Sequence, residues 1–511
     1  MKHLMLVSVV VLVLATACIS APTPTPVPPT ATALLPTATP IPQTSTPLPT
    51  ATATRVPPTA TATNIPLMPT PTPKPLPGTP APTSIWQGFS YDGTYTVDID
   101  SPVALLDTPI KIRVTGLKAK QPITLRAKFT DHKNQVWESF ATFIADDKGS
   151  VDVSNAVPIY GSYVKADAMG LFWSMLPVGA NNPESVGVVW TTLDPTIIKL
   201  TAEAADKTLA TVEVKRQRIL EDKVKRQSVR TDGIVGTLFY PTTPGMYPTV
   251  ITLGGSEGGL GESRARLLAS RGYTAFALAY FGFETLPKEL VELPLEYFAK
   301  AIAWLKTQPS VNPDQIVVMG TSKGGELALL LSATYPQDIK GTIAYVPSAV
   351  VYRGLYSGQT NRSSWTLGGK PVPFLGFAYT PECIALANKK PPVYNCVYGK
   401  ALENVAAVAT ASIAVEKING PVLLLSGTDD QVWPSAQFSE MVMARLKAKN
   451  FAFTYEHLRY EGAGHFIGVP FLPSNQTQTA DLVGGGTAEA NGIASADSYT
   501  KVLDLLKKQI K

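Results

Sequence analysis

The sequence predicts an α/β domain on a mostly parallel, doubly wound sheet, preceded by an all-β sandwich and a disordered Pro/Thr-rich linker. Three observations carry this. After Arg230, apolar strand-like runs alternate with helical runs, the pattern of parallel strands covered on both faces. Between 85 and 222, short runs alternate apolar with polar residues and are separated by Asp, Asn, Gly and Pro. From 19 to 84 the chain is Pro, Thr and Ala with almost no charge, too poor in apolar groups to offset chain entropy.

Taken in order, Met1–Ala17 reads as a signal sequence: Lys2, the apolar stretch Leu4–Ala15, then small residues before Cys18. Leu14-Ala15-Thr16-Ala17-Cys18 resembles a bacterial lipobox, with Ala15 where leucine is usual. Cys18 is therefore a lipidation candidate; cleavage by an ordinary signal peptidase and retention as an anchor are the alternatives. The linker reads as an extended, PPII-biased stalk, with a glycosylated mucin-like stalk as a variant. This is the layout of an extracytoplasmic protein, held to the membrane through an N-terminal lipid anchor or else secreted.

With Cys18 assigned to lipid, Cys383 and Cys396 remain as an even pair thirteen positions apart in an oxidising compartment. A bridge there contributes about 3 kcal/mol by loop entropy; two reduced buried thiols are the alternative. Four histidines and no C-x-x-C argue against a Cys/His metal site, and no organic cofactor is expected. The net charge of +5 is mild. The basic stretches Lys215–Arg218 and Lys223–Arg230 fit a solvated connector or domain seam better than a nucleic-acid surface.

In the sandwich, 85–222, Ile110, Ile112 and Val114 alternate with polar residues, as do Ile123, Leu125, Ala127 and Phe129. Runs at Val186–Trp190, Ile197–Ala202 and Leu209–Val214 bring the expected count to roughly seven strands. In 223–511, strands are expected at Ile234–Phe239, Thr249–Leu253, Thr274–Ala279, Gln315–Met319, Thr342–Val346, Val422–Ser426 and Ala452–Leu458. Leu295, Phe298, Ile302 and Leu305 mark one buried helix face, and Val502, Leu505, Leu506 and Ile510 mark a closing amphipathic helix.

Gly320-Thr321-Ser322-Lys323-Gly324 falls between the strand Gln315–Met319 and the helical run Gly325–Tyr335. A G-x-S-x-G in that setting is the nucleophile elbow of an α/β-hydrolase, whose small residues permit the strained turn that lifts the hydroxyl out of the sheet. The acid and base then follow the serine in the chain. The strand Val422–Ser426 runs into Gly427-Thr428-Asp429-Asp430, so Asp430 is the candidate acid and Asp429 the alternative. His3 lies in the signal sequence, His132 in the sandwich and His457 inside a strand pattern. His465, in the small-residue loop Gly462-Ala463-Gly464-His465, is the candidate base. A serine hydroxyl needs an imidazole to take its proton, and the imidazole needs a carboxylate to hold its tautomer.

Thr249–Leu253 leads into Gly254-Gly255-Ser256-Glu257-Gly258-Gly259, the position of an oxyanion loop. A backbone N–H there, from Ser256 or Glu257, would act with that of Lys323. No G-K-[ST] follows, so the stretch is a poor phosphate cradle. The Lys323 side chain reads as a solvated charge at the helix start. Residues about 350–415 read as a cap insertion whose Trp365, Phe374, Phe377 and Tyr379 either line an acyl pocket or pack the cap.

From Leu253 through His465 the chain resembles the acyl-CoA thioester hydrolase / bile acid-CoA:amino acid N-acyltransferase (BAAT) family. The resemblance rests on Gly254–Gly259, Ala277-Leu278-Ala279-Tyr280-Phe281 followed by Leu286-Pro287, Gly320–Glu326 and Gly462–His465. The sandwich resembles that family's N-terminal domain. The resemblance implies Ser322 as nucleophile, Asp430 as acid and His465 as base, acting on a small acyl ester or thioester. Serine at 322 matches the thioesterase branch; the amino-acid-conjugating branch has cysteine there. Coenzyme A esters are cytoplasmic, whereas this N-terminus points outward, so a general extracytoplasmic carboxylesterase is the alternative. A non-catalytic surface binding lipoprotein is a second alternative. Nothing identifies a peptide site, and a monomer is expected.

Overall fold

The computed structural model describes residues 79, 81–189, 192–358 and 361–509. The signal sequence 1–18 with Cys18, and the linker as far as 78, lie outside the described residues.

The larger sheet has eight strands: β1 (Val224–Thr231), β2 (Ile234–Pro241), β3 (Tyr247–Leu253), β4 (Thr274–Ala279), β5 (Val311–Thr321), β6 (Thr342–Tyr345), β7 (Val422–Gly427) and β8 (Tyr455–Tyr460). Their spatial order is β1-β2-β4-β3-β5-β6-β7-β8. β2 runs against both neighbours, and every pair from β4 to β8 is parallel. The central strands are apolar runs because both faces are covered: all of β4, β6 and β7 is buried.

The covering helices in the first half are α1 (Ser263–Ser270), α2 (Leu295–Lys306) and α3 (Lys323–Thr334). In α2 Leu295, Phe298, Ala301, Ile302 and Leu305 are buried in one stripe. α3 is buried from Lys323 through Ala333, as expected of a helix wedged between sheet and insertion. The segment between β6 and β7 carries three short helices, α4 (Pro381–Ala387), α5 (Asn395–Ala401) and α6 (Val405–Ala411). It also carries strands Trp365–Leu367 and Lys370–Pro371, the first of which pairs with Leu293–Pro294. Helix α7 (Ser435–Ala448) and helix α8 (Ala488–Gln509) complete the layer. In α8 Val502 and Leu506 are buried, while Ile510 lies outside the described residues. Among the described residues no helix is long and apolar enough to cross a membrane.

One expected strand is displaced. The chain reaches the sheet at Tyr455 instead of Ala452, because α7 runs to Ala448 and Asn450 at φ 50° then reverses the backbone.

The N-terminal β region forms a three-stranded and a seven-stranded sheet, more strands than the roughly seven expected. The strand Val136–Ile144 carries no alternation because Trp137 through Phe143 are all buried. Residues 186–189 form no strand, and Trp190 lies outside the described residues. Here side chains take the backbone groups: Asn475 Nδ2 bonds the Val186 carbonyl, and Asp131 accepts the Val189 N–H.

Both regions belong to one compact unit. Of the two readings of Lys215–Arg218, a solvated connector or a domain seam, Arg216 and Arg218 fit the seam. Both are buried, at 0% and 1% exposure, and bond the Leu106, Thr108 and Thr192 carbonyls along the seam. Arg271 on the edge of α1 pairs across the same seam with Asp107 at 2.7 Å.

Candidate active site

Three loops at the carboxyl edge of the larger sheet converge. The first is the turn from β5 into α3, where Ser322 sits at φ 57°, ψ −121°. That conformation costs a non-glycine residue about 1–3 kcal/mol and needs a surrounding that dictates it. The Ser322 N–H donates to the Tyr345 carbonyl at 2.9 Å, and the Ser322 carbonyl accepts from Gly325 and Glu326. Close backbone packing explains the glycine two residues on: a Cβ on Gly324 would stand 2.2 Å from the Gly254 carbonyl oxygen. We expect Gly324→Ala to destabilise the protein by about 1–3 kcal/mol through overpacking, measurable by denaturant unfolding. It should also push the Gly254 turn away from Ser322.

The second loop follows β7. Asp430 is buried; its Oδ1 accepts the N–H groups of Val432 and Trp433, at 3.0 and 3.2 Å. Its Oδ2 accepts Ser435 Oγ at 2.6 Å and faces His465 Nδ1 at 2.8 Å. Asp429 points elsewhere: it accepts from Gln431 and from the Gly486 N–H, tying down the glycine loop behind His465.

The third loop follows β8 and carries His465, whose Nε2 lies 2.9 Å from Ser322 Oγ. The His465 N–H donates to the Gly484 carbonyl, and Trp433 stands edge-on to the imidazole at 6.0 Å. His457 is remote from this line and bonds Ser426 Oγ within the sheet. His132 lies in the β region, where its Nδ1 accepts the Thr192 N–H.

The Gly254–Gly259 turn lies against the elbow. Its Gly255 N–H is taken by the Glu257 carboxylate at 2.9 Å, and Tyr280 Oη donates to the Gly254 carbonyl at 2.7 Å. Ser256 and Glu257, both exposed residues, follow directly.

The Lys323 side chain is a correction. It is 1% exposed and forms a buried ion pair with Glu326, Nζ to Oε1, at 2.6 Å. The same carboxylate accepts Trp365 Nε1 at 2.9 Å and the Tyr352 N–H at 3.3 Å, both from the insertion. Burial pushes the lysine's pKa down and the glutamic acid's up, each opposed by the partner charge. The spacing i, i+3 at the start of α3 was visible in the sequence, but charge at a helix start ordinarily means solvent.

Trp365 is fully buried and packs against Tyr280 and Phe298; Phe377 packs on Tyr352 and Tyr398; Tyr379 is exposed. These contacts pack the insertion together. Cys383 and Cys396 are joined by a disulfide between α4 and α5, and Asn395 beside it bonds the Asp430 carbonyl. Among the described residues no group of three His, Cys, Asp or Glu side chains is arranged to hold a metal.

Two family models match the chain. Residues 107–231 match the acyl-CoA thioester hydrolase/BAAT N-terminal region, and residues 293–511 match the BAAT/acyl-CoA thioester hydrolase C terminal. Acyl-coenzyme A thioesterase 1 of Homo sapiens is 30% identical over 417 residues, spanning 79% of this chain and 94% of that protein. The chain belongs to the acyl-CoA thioester hydrolase/BAAT family. It is accordingly an enzyme of the thioester-hydrolase class. Human acyl-coenzyme A thioesterase 2, mitochondrial, is also 30% identical, over 79% of this chain and 82% of its own length. Esterase B of Lactobacillus Rhamnosis (HN001) aligns with 57% of this chain and 86% of its own at 16% identity and TM-score 0.34, a distant likeness. In this family member the segment 232–292, with the Gly254–Gly259 turn, lies between the two matched regions.

Proposed function

We propose that this chain hydrolyses acyl thioesters through an acyl-enzyme on Ser322, with His465 as base and Asp430 as orienting acid. The observation that carries the proposal is the continuous line Ser322 Oγ to His465 Nε2 and His465 Nδ1 to Asp430 Oδ2, at 2.9 and 2.8 Å. Ser322 Oγ attacks the acyl carbon while His465 Nε2 takes its proton. The negative oxygen of the tetrahedral intermediate faces the Lys323 N–H and the amide of Ser256 or Glu257. His465 then protonates the leaving thiolate, and a water activated by the same imidazole releases the acid and restores Ser322. The buried Asp430 stabilises the imidazolium without taking its proton.

The names of the human relatives support an acyl-CoA substrate. The signal-like Met1–Ala17 and Cys18 favour a second reading, in which a lipid-anchored or secreted monomer acts on acyl esters or thioesters outside the cytoplasm. Matched acyl-CoA, acyl-pantetheine and simple acyl esters separate the two. A higher kcat/KM for CoA than for pantetheine supports the named substrate. Indifference to the nucleotide supports the general esterase, and no turnover of any acyl donor overturns both.

A further inference from the structure

Arg264 lies on α1, five residues past the Gly254–Gly259 turn, and reaches both of the loops that meet at Ser322. One guanidinium nitrogen donates to Thr321 Oγ1, on the residue before Ser322. The other donates to the Ile467 carbonyl, two residues beyond His465, at 3.0 Å. The guanidinium carbon stands 4.1 Å from the ring centroid of Tyr345, whose carbonyl accepts the Ser322 N–H. Thus one planar group touches the elbow, the histidine loop and the residue that anchors the serine backbone.

The chemistry of arginine suits this place. Its guanidinium presents several donors in a rigid fork and stacks on an aromatic face, so two acceptors held by it keep a fixed separation. Lysine, a point charge on a flexible stem, cannot impose that separation. Among the described residues no carboxylate pairs with Arg264, and its Nε is buried without a hydrogen-bond partner. Its two terminal nitrogens bond a hydroxyl and a carbonyl on the two loops. The contact between Ser322 and His465 depends on where those loops sit, and Arg264 bonds both of them from a third element.

We propose that Arg264 is a positioning residue that sets the Ser322–His465 spacing by holding the nucleophile elbow and the histidine loop in one guanidinium fork. This rests on the serine mechanism proposed above. The experiment compares full-length wild type, Arg264→Ala, Arg264→Lys, Thr321→Val and Ser322→Ala for kcat and KM with an acyl-CoA. It adds fluorophosphonate labelling rates and thermal melts, and titrates active sites by the labelling end-point.

A loss of alignment of about an ångström lowers kcat by about 10²-fold, so Arg264→Ala is expected to fall by that factor with KM little changed. Labelling should slow in parallel. Thr321→Val, which removes one arm of the fork, should lose about tenfold, the equivalent of one charge-assisted hydrogen bond. Because Arg264 is only half-buried, added ethylguanidine should restore part of the Arg264→Ala rate, while Arg264→Lys should remain impaired. The proposal is overturned if kcat per labelled site is unchanged in Arg264→Ala, or if the loss simply follows the melting temperature and resists ethylguanidine. Should Arg264→Ala not fold, Thr321→Val and Arg264→Lys decide by the same criteria: normal kcat in both sinks the proposal. Turnover surviving in Ser322→Ala would instead sink the serine mechanism on which it rests.

Discussion

Ser322→Ala is expected to lower acyl-CoA hydrolysis by about 10⁴- to 10⁶-fold, by analogy with measured triads. In the proposed mechanism the hydroxyl oxygen forms the acyl bond, and it lies 2.9 Å from His465 Nε2. Deleting it leaves the fold untouched, because alanine keeps the Cβ and the backbone bonds to Tyr345, Gly325 and Glu326. In the proposed mechanism the rate that remains would come from the oxyanion amides and from binding alone. The same site predicts a gain in stability. A residue held at φ 57° is strained by about 1–3 kcal/mol. Glycine relieves that strain but loses about 0.5–1 kcal/mol to greater freedom in the unfolded chain. Ser322→Gly should therefore be inactive and more stable than Ser322→Ala by about 1 kcal/mol. Urea unfolding followed by CD measures this; an equal or lower midpoint for the glycine variant would contradict the strain argument.

The second large effect concerns the Lys323–Glu326 pair. Glu326→Gln keeps the volume but leaves a buried ammonium facing a neutral amide, and it is expected to destabilise by about 3–5 kcal/mol. Lys323→Met strands the carboxylate in the same way. The double variant Lys323→Met/Glu326→Gln should recover most of that loss, since it removes both buried charges while the amide oxygen can still accept a hydrogen bond from the insertion. A double-mutant cycle on unfolding free energies tests this. Additive losses would mean that the two charges do not depend on each other. Because Glu326 also accepts from Trp365 and Tyr352, the double variant should bind the insertion less firmly. That difference would show as faster amide exchange at Tyr352 and Trp365.

The order of strands and helices after Arg230 was legible because parallel strands covered on both faces are written as plain apolar runs. β4 and β7 are examples. The line from Ser322 through His465 to Asp430 was legible because the fold fixes where each loop leaves the sheet. Asp430 was the candidate and Asp429 stayed open as the alternative, because what separates them is side-chain direction at adjacent positions: one points into the site and the other ties Gly486. Val136–Ile144 was hidden by burial on both faces, which erases the period-two signal. Lys323 misled because the groups around its ion pair with Glu326, the Trp365 ring over the ammonium and the Tyr352 N–H on the carboxylate, come from a distant insertion. Arg264 was silent for a similar reason: it contacts residues 57 and 203 positions away, and an isolated arginine on a short helix carries no pattern.

The most direct measurement is to mix the full-length protein with an acyl-CoA, quench with acid during turnover, and map acyl adducts by peptide mass spectrometry. A parallel sample treated with a fluorophosphonate marks the same nucleophile. An acyl group and a phosphonyl group are expected on the peptide carrying Ser322, both absent in Ser322→Ala along with CoA release. CoA release continuing undiminished in Ser322→Ala, with no adduct of either kind at Ser322, would contradict the serine mechanism.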